Sequence, residues 1–246
     1  MRHGVSTLRK SFTIDKTNRI MPYILNIESA TTLCSVSLSK DGKLMAYKEL
    51  NDGFTHAENL HLFIDDVLKE AQVQVKKLNA IAVSKGPGSY TGLRIGTSAA
   101  KGLAYALGIP LISVGTLEIL SNHYLITKNA YTYFCPMIDA RRMEVYTALY
   151  DQDLATIIPV QALIVDEQSI QTFREFSEIY FFGNGMQKCQ NALSTLANAR
   201  FIDGVVPSAK YMCSMSFNKF NNKDFENLAY FEPFYLKDFL ITAKKK

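Results

Sequence analysis

The sequence predicts an α/β fold of two halves, each built on a mixed sheet, with the second half reduced. Three strand patterns follow one another directly between residues 23 and 50, which implies antiparallel neighbours. From residue 55 onward strands and helices alternate, which implies parallel pairing through crossovers. After about residue 128 the order restarts with a strand ending at an acid, a turn and a second strand, as at the start of the first half.

Each element has a local reason. Tyr23-Ile24-Leu25-Asn26-Ile27 is a strand running to Glu28, and residues 33–38 alternate apolar and polar as a half-buried strand does. Asp41-Gly42 is a turn leading into a strand over 43–50. Residues 55–72 form a helix, with Leu60, Phe63, Ile64, Val67, Leu68 and Ala71 on one stripe and Leu62 widening it. Ala80-Ile81-Ala82-Val83 is a short buried strand, the glycine-rich segment 86–96 opens a second helix, and residues 111–114 are another strand. A strand over 131–138 ends at Asp139, followed by a tight turn and a strand over 144–150. Pro136 has no ladder donor, so an edge position or a bulge is expected there. Tyr180-Phe181-Phe182 runs into Gly183-Asn184-Gly185, a strand-to-helix junction. The expected division is an N-terminal extension over 1–20, a first half over 21–127 and a smaller second half over 128–246. The extension is Ser/Thr/Arg-rich, as transit peptides are, but Met21-Pro22 directly before the first strand favours a poorly packed segment upstream of a working start.

The chain has 246 residues, 48% hydrophobic and 20% charged, enough to bury a sizeable core. No apolar run approaches the ~20 residues that span a bilayer, so no membrane association and a cytoplasmic setting are expected. The net charge of +4 resides in the first 20 residues, where Arg2, Arg9, Lys10, Lys16 and Arg19 face only Asp15. The rest is neutral and shows no run of Lys and Arg able to grip nucleic acid alone. Cys34, Cys135, Cys189 and Cys213 form no C-x-x-C pair, which fits buried thiols in a reducing compartment.

The most informative segment is Lys85-Gly86-Pro87-Gly88-Ser89-Tyr90-Thr91-Gly92-Leu93-Arg94-Ile95-Gly96. A glycine-rich turn before a helix can offer backbone N–H groups to an anion. It is neither a P-loop nor G-x-G-x-x-G, because Thr91 stands where the last glycine would be. On the residues alone, a tight turn with Ser89 or Thr91 capping a closely packed helix outweighs nucleotide binding.

This segment resembles the signature of the TsaB (YeaZ-type) family, in the actin/Hsp70/sugar-kinase (ASKHA, ribonuclease H-like) superfamily. Ile24-Leu25-Asn26-Ile27-Glu28-Ser29 is similar to that family's opening strand and loop, and Thr55-His56-Ala57-Glu58-Asn59-Leu60 to its H-S-E-x-L helix start. Asp139-Ala140-Arg141-Arg142-Met143-Glu144-Val145-Tyr146 resembles its D-A-R-x-x-E-V-Y hairpin, and Pro233-Phe234-Tyr235-Leu236-Lys237 its closing P-x-Y-L-R/K. The likeness is strong over residues 21–150 and thinner toward the end.

The resemblance implies a duplicated actin-like fold and an accessory role in making threonylcarbamoyladenosine on tRNA. TsaD-type sisters carry an H-x-x-x-H metal pair, a spacing that puts both imidazoles on one helix face. Thr116 and Leu120 stand at those positions here, so no catalytic residue and no metal site are expected. His56 and His61, five residues apart on one helix, diverge by ~140° and make no joint site. The implied partners are a TsaD-type protein, a TsaE-type ATPase and tRNA only through the complex, with a homodimer when the chain is alone. The partner-binding candidates are His56, Glu58, Leu60, Phe63, Ile64 and Val67 on the first helix, and Gly92, Gly96, Ala99, Ala100 and Leu103 on the second. Candidates for a degenerate phosphate site are Glu28, Gly86, Gly88, Ser89, Thr91, Gly92, Arg94, Gly183, Asn184 and Gly185. No cofactor is required on this reading, and ATP or ADP would bind weakly at most. The alternative is a nucleotide-binding ATPase, a threonylcarbamoyltransferase or a metallopeptidase-like enzyme of the same superfamily.

Overall fold

The computed structural model describes residues 21–53, 56–123 and 132–237. The extension over 1–20 and the expected division after residue 127 lie outside these residues.

Strands β1 (Tyr23–Glu28), β2 (Cys34–Lys40) and β3 (Lys43–Leu50) pair antiparallel. Helix α1 (His56–Glu70) leads through a 3-10 turn to β4 (Ala80–Gly86), then α2 (Tyr90–Leu107), β5 (Leu111–Gly115) and α3 (Thr116–Ser121). The order restarts with β6 (Thr132–Asp139), β7 (Glu144–Tyr150), β8 (Thr156–Ile164), α4 (Glu167–Phe173), β9 (Glu178–Phe182), α5 (Met186–Leu193), β10 (Ala199–Ile202) and α6 (Cys213–Asn221). The first sheet has the order β3-β2-β1-β4-β5 and the second β8-β7-β6-β9-β10. In each, the first three strands are antiparallel and the last two join in parallel, so the duplication expected from the sequence is topological. The second half is the reduced one: α4 and α5 have 7 and 8 residues, against 15 and 18 in α1 and α2.

The first sheet is buried on both faces. Leu25, Ile27, Val36, Ile81 and Val83 pack beneath α1 and α2, while Ile24, Ala80, Ala82, Ile112 and Val114 face Ala209 and Met212 of a second 3-10 turn (Ala209–Met212) that leads into α6. This corrects the expected division of the chain. Residues after about 208 are late in sequence but cover the back of the first sheet, because that face is as apolar as the front and needs a lid. A buried polar network fixes the lid. Asn26 Nδ2 donates to Ser37 Oγ (3.2 Å), Ser216 Oγ donates to Asn26 Oδ1 (2.6 Å), and Ala209 N donates to Ser35 Oγ (2.9 Å). Each buried polar atom that finds a partner avoids a desolvation cost of ~1–3 kcal/mol.

Pro136 is not on an edge. It lies in β6, the central strand of its sheet. The ladder to β7 passes from Phe134↔Tyr150 to Met137↔Thr147 with no paired residue between, which spares the missing donor, and the Thr147 hydroxyl donates to the Pro136 carbonyl (2.8 Å). All four cysteines are free and buried. Burial pushes the Cys34 thiol up to about 11 and the Cys135 thiol up to about 12, so neither is poised as a nucleophile. No helix among the described residues is long and apolar enough to cross a membrane.

Candidate functional site: the glycine segment and the paired helices

The glycine segment links β4 to α2 through a cis Gly86-Pro87 peptide. Ser89 caps α2, its hydroxyl accepting from Gly92 N (3.3 Å), so of the two candidate caps it is Ser89 that serves, while Thr91 is exposed. Close approach to the loop after β1 explains the other glycines. A Cβ on Gly88 would lie 2.3 Å from Ala30 O, and one on Gly96 would lie 2.2 Å from Ser29 Oγ. Ser89 N donates to Ala30 O (2.7 Å), so that one N–H a phosphate cradle would offer is engaged by the chain itself, and Ser29 Oγ donates to Gly92 O (2.9 Å) to hold the loop on α2. Arg94 lies over the Tyr90 ring (4.7 Å), which packs against Tyr235 with the rings tilted by 39° (5.0 Å). Gly183, Asn184 and Gly185 are not beside this segment's loop but against β6. Asn184 Oδ1 accepts from Asp139 N (3.0 Å), and a Cβ on Gly183, whose φ is +97°, would lie 2.3 Å from Met137 O.

Glu28 ends β1 with no exposed surface. One carboxyl oxygen accepts from Ala30 N (2.5 Å) and the other, Oε2, has no hydrogen-bond partner. Burial raises its pKa from 4.5 to about 7, against the opposing pull of the Ala30 amide and of Ser84.

At the carboxyl ends of β4 and β5 lies a cavity of about 840 Å³, where Lys85, Gly86, Gly115, Glu118 and Tyr150 meet the segment Tyr230–Tyr235. The tail is pinned across it by Phe234 N donating to Lys85 O (2.6 Å). Thr116 and Leu120, the residues at the sisters' metal positions, are fully buried in α3.

Helices α1 and α2 lie side by side on the outer face of the first sheet. Their placement divides the partner-binding candidates. Leu60, Ile64, Val67, Gly92, Gly96 and Ala100 are buried, and Phe63, Ala99 and Leu103 are partly buried against the same core. These nine therefore hold the helices to the sheet, because the apolar stripe is consumed by the chain's own core. Glu58 is exposed, and the side chain of His56 lies outside the described residues. The outward surface is instead Ala57, Glu58, His61, Thr91, Ser98 and Gly102, with Leu62 61% exposed and Tyr105 81% exposed. Tyr105 was missed because it falls off the apolar stripe. A large aromatic on the polar side of an amphipathic helix was the available signal.

The family described as TsaD, tRNA N6-adenosine threonylcarbamoyltransferase, matches residues 54–229. The chain belongs to this family. The relatives and solved structures it is similar to are of the TsaB (YeaZ) type. The protein named tRNA threonylcarbamoyladenosine biosynthesis protein TsaB from Escherichia coli K12 is 39% identical over 130 residues, covering 53% of this chain. The chain matches about half the length, 55%, of that relative. The protein of the same name from Haemophilus influenzae is 26% identical over 229 residues, 90% of this chain and 96% of its own. The solved structure of YeaZ from Pseudomonas aeruginosa aligns with a TM-score of 0.73 at 25% identity, covering 88% of this chain and 100% of that one. The fold is thus the duplicated actin-like, ribonuclease H-like architecture, with its second half reduced.

Proposed function

We propose that this chain is a non-catalytic accessory subunit in the biosynthesis of threonylcarbamoyladenosine on tRNA. It binds a TsaD-type sister and, with a TsaE-type ATPase, supports transfer of the threonylcarbamoyl group to the adenosine next to the anticodon. The setting is cytoplasmic, no cofactor is required, ATP or ADP binds weakly at most, and without its sister the chain pairs with itself. The single observation that carries the reading is the exposure of Leu62 and Tyr105 on two adjacent helices whose inner faces are already packed. Large side chains held on rigid helices suit a helix-on-helix interface, since little conformational freedom remains to be lost on binding.

The non-catalytic part rests on side chains. Leu120 cannot ligate a metal, and Thr116 is enclosed in α3 with a hydroxyl that meets no partner. The Ser89 N–H is taken by the Ala30 carbonyl.

Leu62→Asp and Tyr105→Asp are expected to keep the wild-type melting temperature while weakening capture of the sister by tenfold or more, as loss of an anchoring side chain does. Val67→Asp, which buries an unpaired charge, is expected to unfold the protein instead. Pull-down alongside thermal melts checks both, and undiminished capture by the folded Leu62 and Tyr105 variants refutes the interface. The purified chain is also expected to release no phosphate from ATP. Turnover that disappears in Thr91→Ala or Arg94→Ala would restore the enzyme reading.

A further inference from the structure

We infer that the β6–β7 turn, with the adjoining end of α2, is a contact surface for the phosphate backbone of RNA, a proposal that rests on the accessory reading and adds a direct RNA contact to it. Arg141 and Arg142 occupy the turn with φ of +69° and +51°, a left-handed conformation that side-chain-bearing residues rarely adopt and that Asn or Gly adopts more easily. Both are exposed. The two carboxylates flanking the turn are neutralised by other residues: Asp139 pairs with Lys188, and Glu144 pairs with Lys237. Lys188 also donates to Arg142 O (2.8 Å) and Glu144 O (2.7 Å), so the turn is clamped from behind by a cation. Two guanidinium groups are thereby presented to solvent with no carboxylate partner among the described residues.

The positive surface continues. Lys237 is two residues from Tyr235, at most ~7 Å of extended chain, and Tyr235 packs at a tilt against Tyr90, over which Arg94 lies. Through the tail, Arg94 of α2 is thus linked to the turn that carries Arg141 and Arg142, while Lys188 and Lys237 are spent on Asp139 and Glu144, although the sequence shows no basic run. Guanidinium groups fixed on a rigid turn are matched to phosphate oxygens, which they bind bidentately. A phosphodiester backbone is favoured over a single phosphate because the arginines are spread between the turn and α2 rather than converging on one point.

The test uses the full chain, alone and assembled with its TsaD-type sister, and unmodified tRNA as the probe, titrated by fluorescence anisotropy over a series of salt concentrations. Arg141→Asn with Arg142→Gly relieves the left-handed backbone, so the variant is expected to melt no lower than wild type. Its RNA affinity is expected to fall tenfold or more, and the slope of log affinity against log salt to shrink by about 2, close to one per lost phosphate contact. Arg141→Lys with Arg142→Lys should restore most of the binding, and Lys43→Ala with Lys76→Ala, which removes two exposed charges elsewhere, should change nothing. Unchanged affinity and slope in the Asn-Gly variant overturn the proposal. So does a complete lack of tRNA binding by both forms of the wild type, or equal turn-dependent binding to phosphatidylserine vesicles. Pull-down of the sister, run in parallel, reports separately on the accessory reading: capture without a turn-dependent RNA contact refutes this surface alone.

Discussion

Glu28→Gln is expected to raise the unfolding free energy by about 3 kcal/mol at pH 8 and to leave it nearly unchanged at pH 4. The carboxyl titrates near 4.5 when solvated and at about 7 when buried at the end of β1. A raised carboxyl pKa means that the folded state holds a proton the unfolded state has released, so this stability is fully present below pH 4.5 and is lost as pH rises through about 7. At roughly 1.4 kcal/mol per tenfold step in affinity, the interval between the two values amounts to about 3 kcal/mol. Gln carries no charge to desolvate, and its carbonyl can keep the hydrogen bond from Ala30 N that the wild-type carboxyl accepts at 2.5 Å. Urea unfolding of both proteins at several pH values decides the matter. The wild-type curve should decline between pH 4.5 and 7 relative to the Gln variant, whereas parallel curves would mean that Glu28 is not buried as a neutral acid.

Gly88→Ala is expected to destabilise the protein by about 3 kcal/mol, at the upper end of what overpacking costs. The added methyl would stand 2.3 Å from Ala30 O, a backbone atom that also receives Ser89 N at 2.7 Å, so neither neighbour can move without breaking that bond. Gly102 supplies the control. It is exposed in α2 with nothing within 4 Å of the Cβ position, and Gly102→Ala should gain about 0.5–1 kcal/mol from helix propensity. If instead the segment is an open phosphate cradle, Gly88→Ala would melt like wild type and lose only nucleotide affinity. Chemical unfolding with and without ATP separates the two cases.

Much of this architecture is written in local patterns. Alternation along residues 33–38, the Asp41-Gly42 turn and the stripe from Leu60 to Ala71 each depend on neighbours in sequence, and each became a strand, turn or helix as expected, but the strand is not half-buried: its serines Ser35 and Ser37 are covered by the 209–216 segment. The strand β8 (Thr156–Ile164) was not anticipated, because it is a half-exposed edge strand interrupted by Pro159 and Gln161 and lacks clean alternation. Pro136 was misplaced because its missing donor falls at a gap in the β6–β7 ladder, a long-range feature that needs neither an edge nor a bulge. Long-range packing was the least legible. Nothing near Asn26 announces that Ser216 and Ala209 close over it, and nothing near residue 230 announces that the tail crosses the carboxyl ends of β4 and β5. The functional surface suffered from the same limit. An apolar stripe shows that a helix packs, but whether it packs on its own sheet or on another protein depends on the sheet, and here the sheet takes Leu60, Ile64 and Val67. The exposed residues Leu62 and Tyr105 emerge only once that face has been subtracted.

Reconstitution of threonylcarbamoyl transfer onto unmodified tRNA, from purified TsaD-type and TsaE-type proteins of the same organism with and without this chain, tests the central claim most directly. Product should form only when the chain is present, fall sharply with Leu62→Asp or Tyr105→Asp, and be absent when the chain is supplied alone. Equal product without the chain, or transfer catalysed by the chain on its own, would contradict the account.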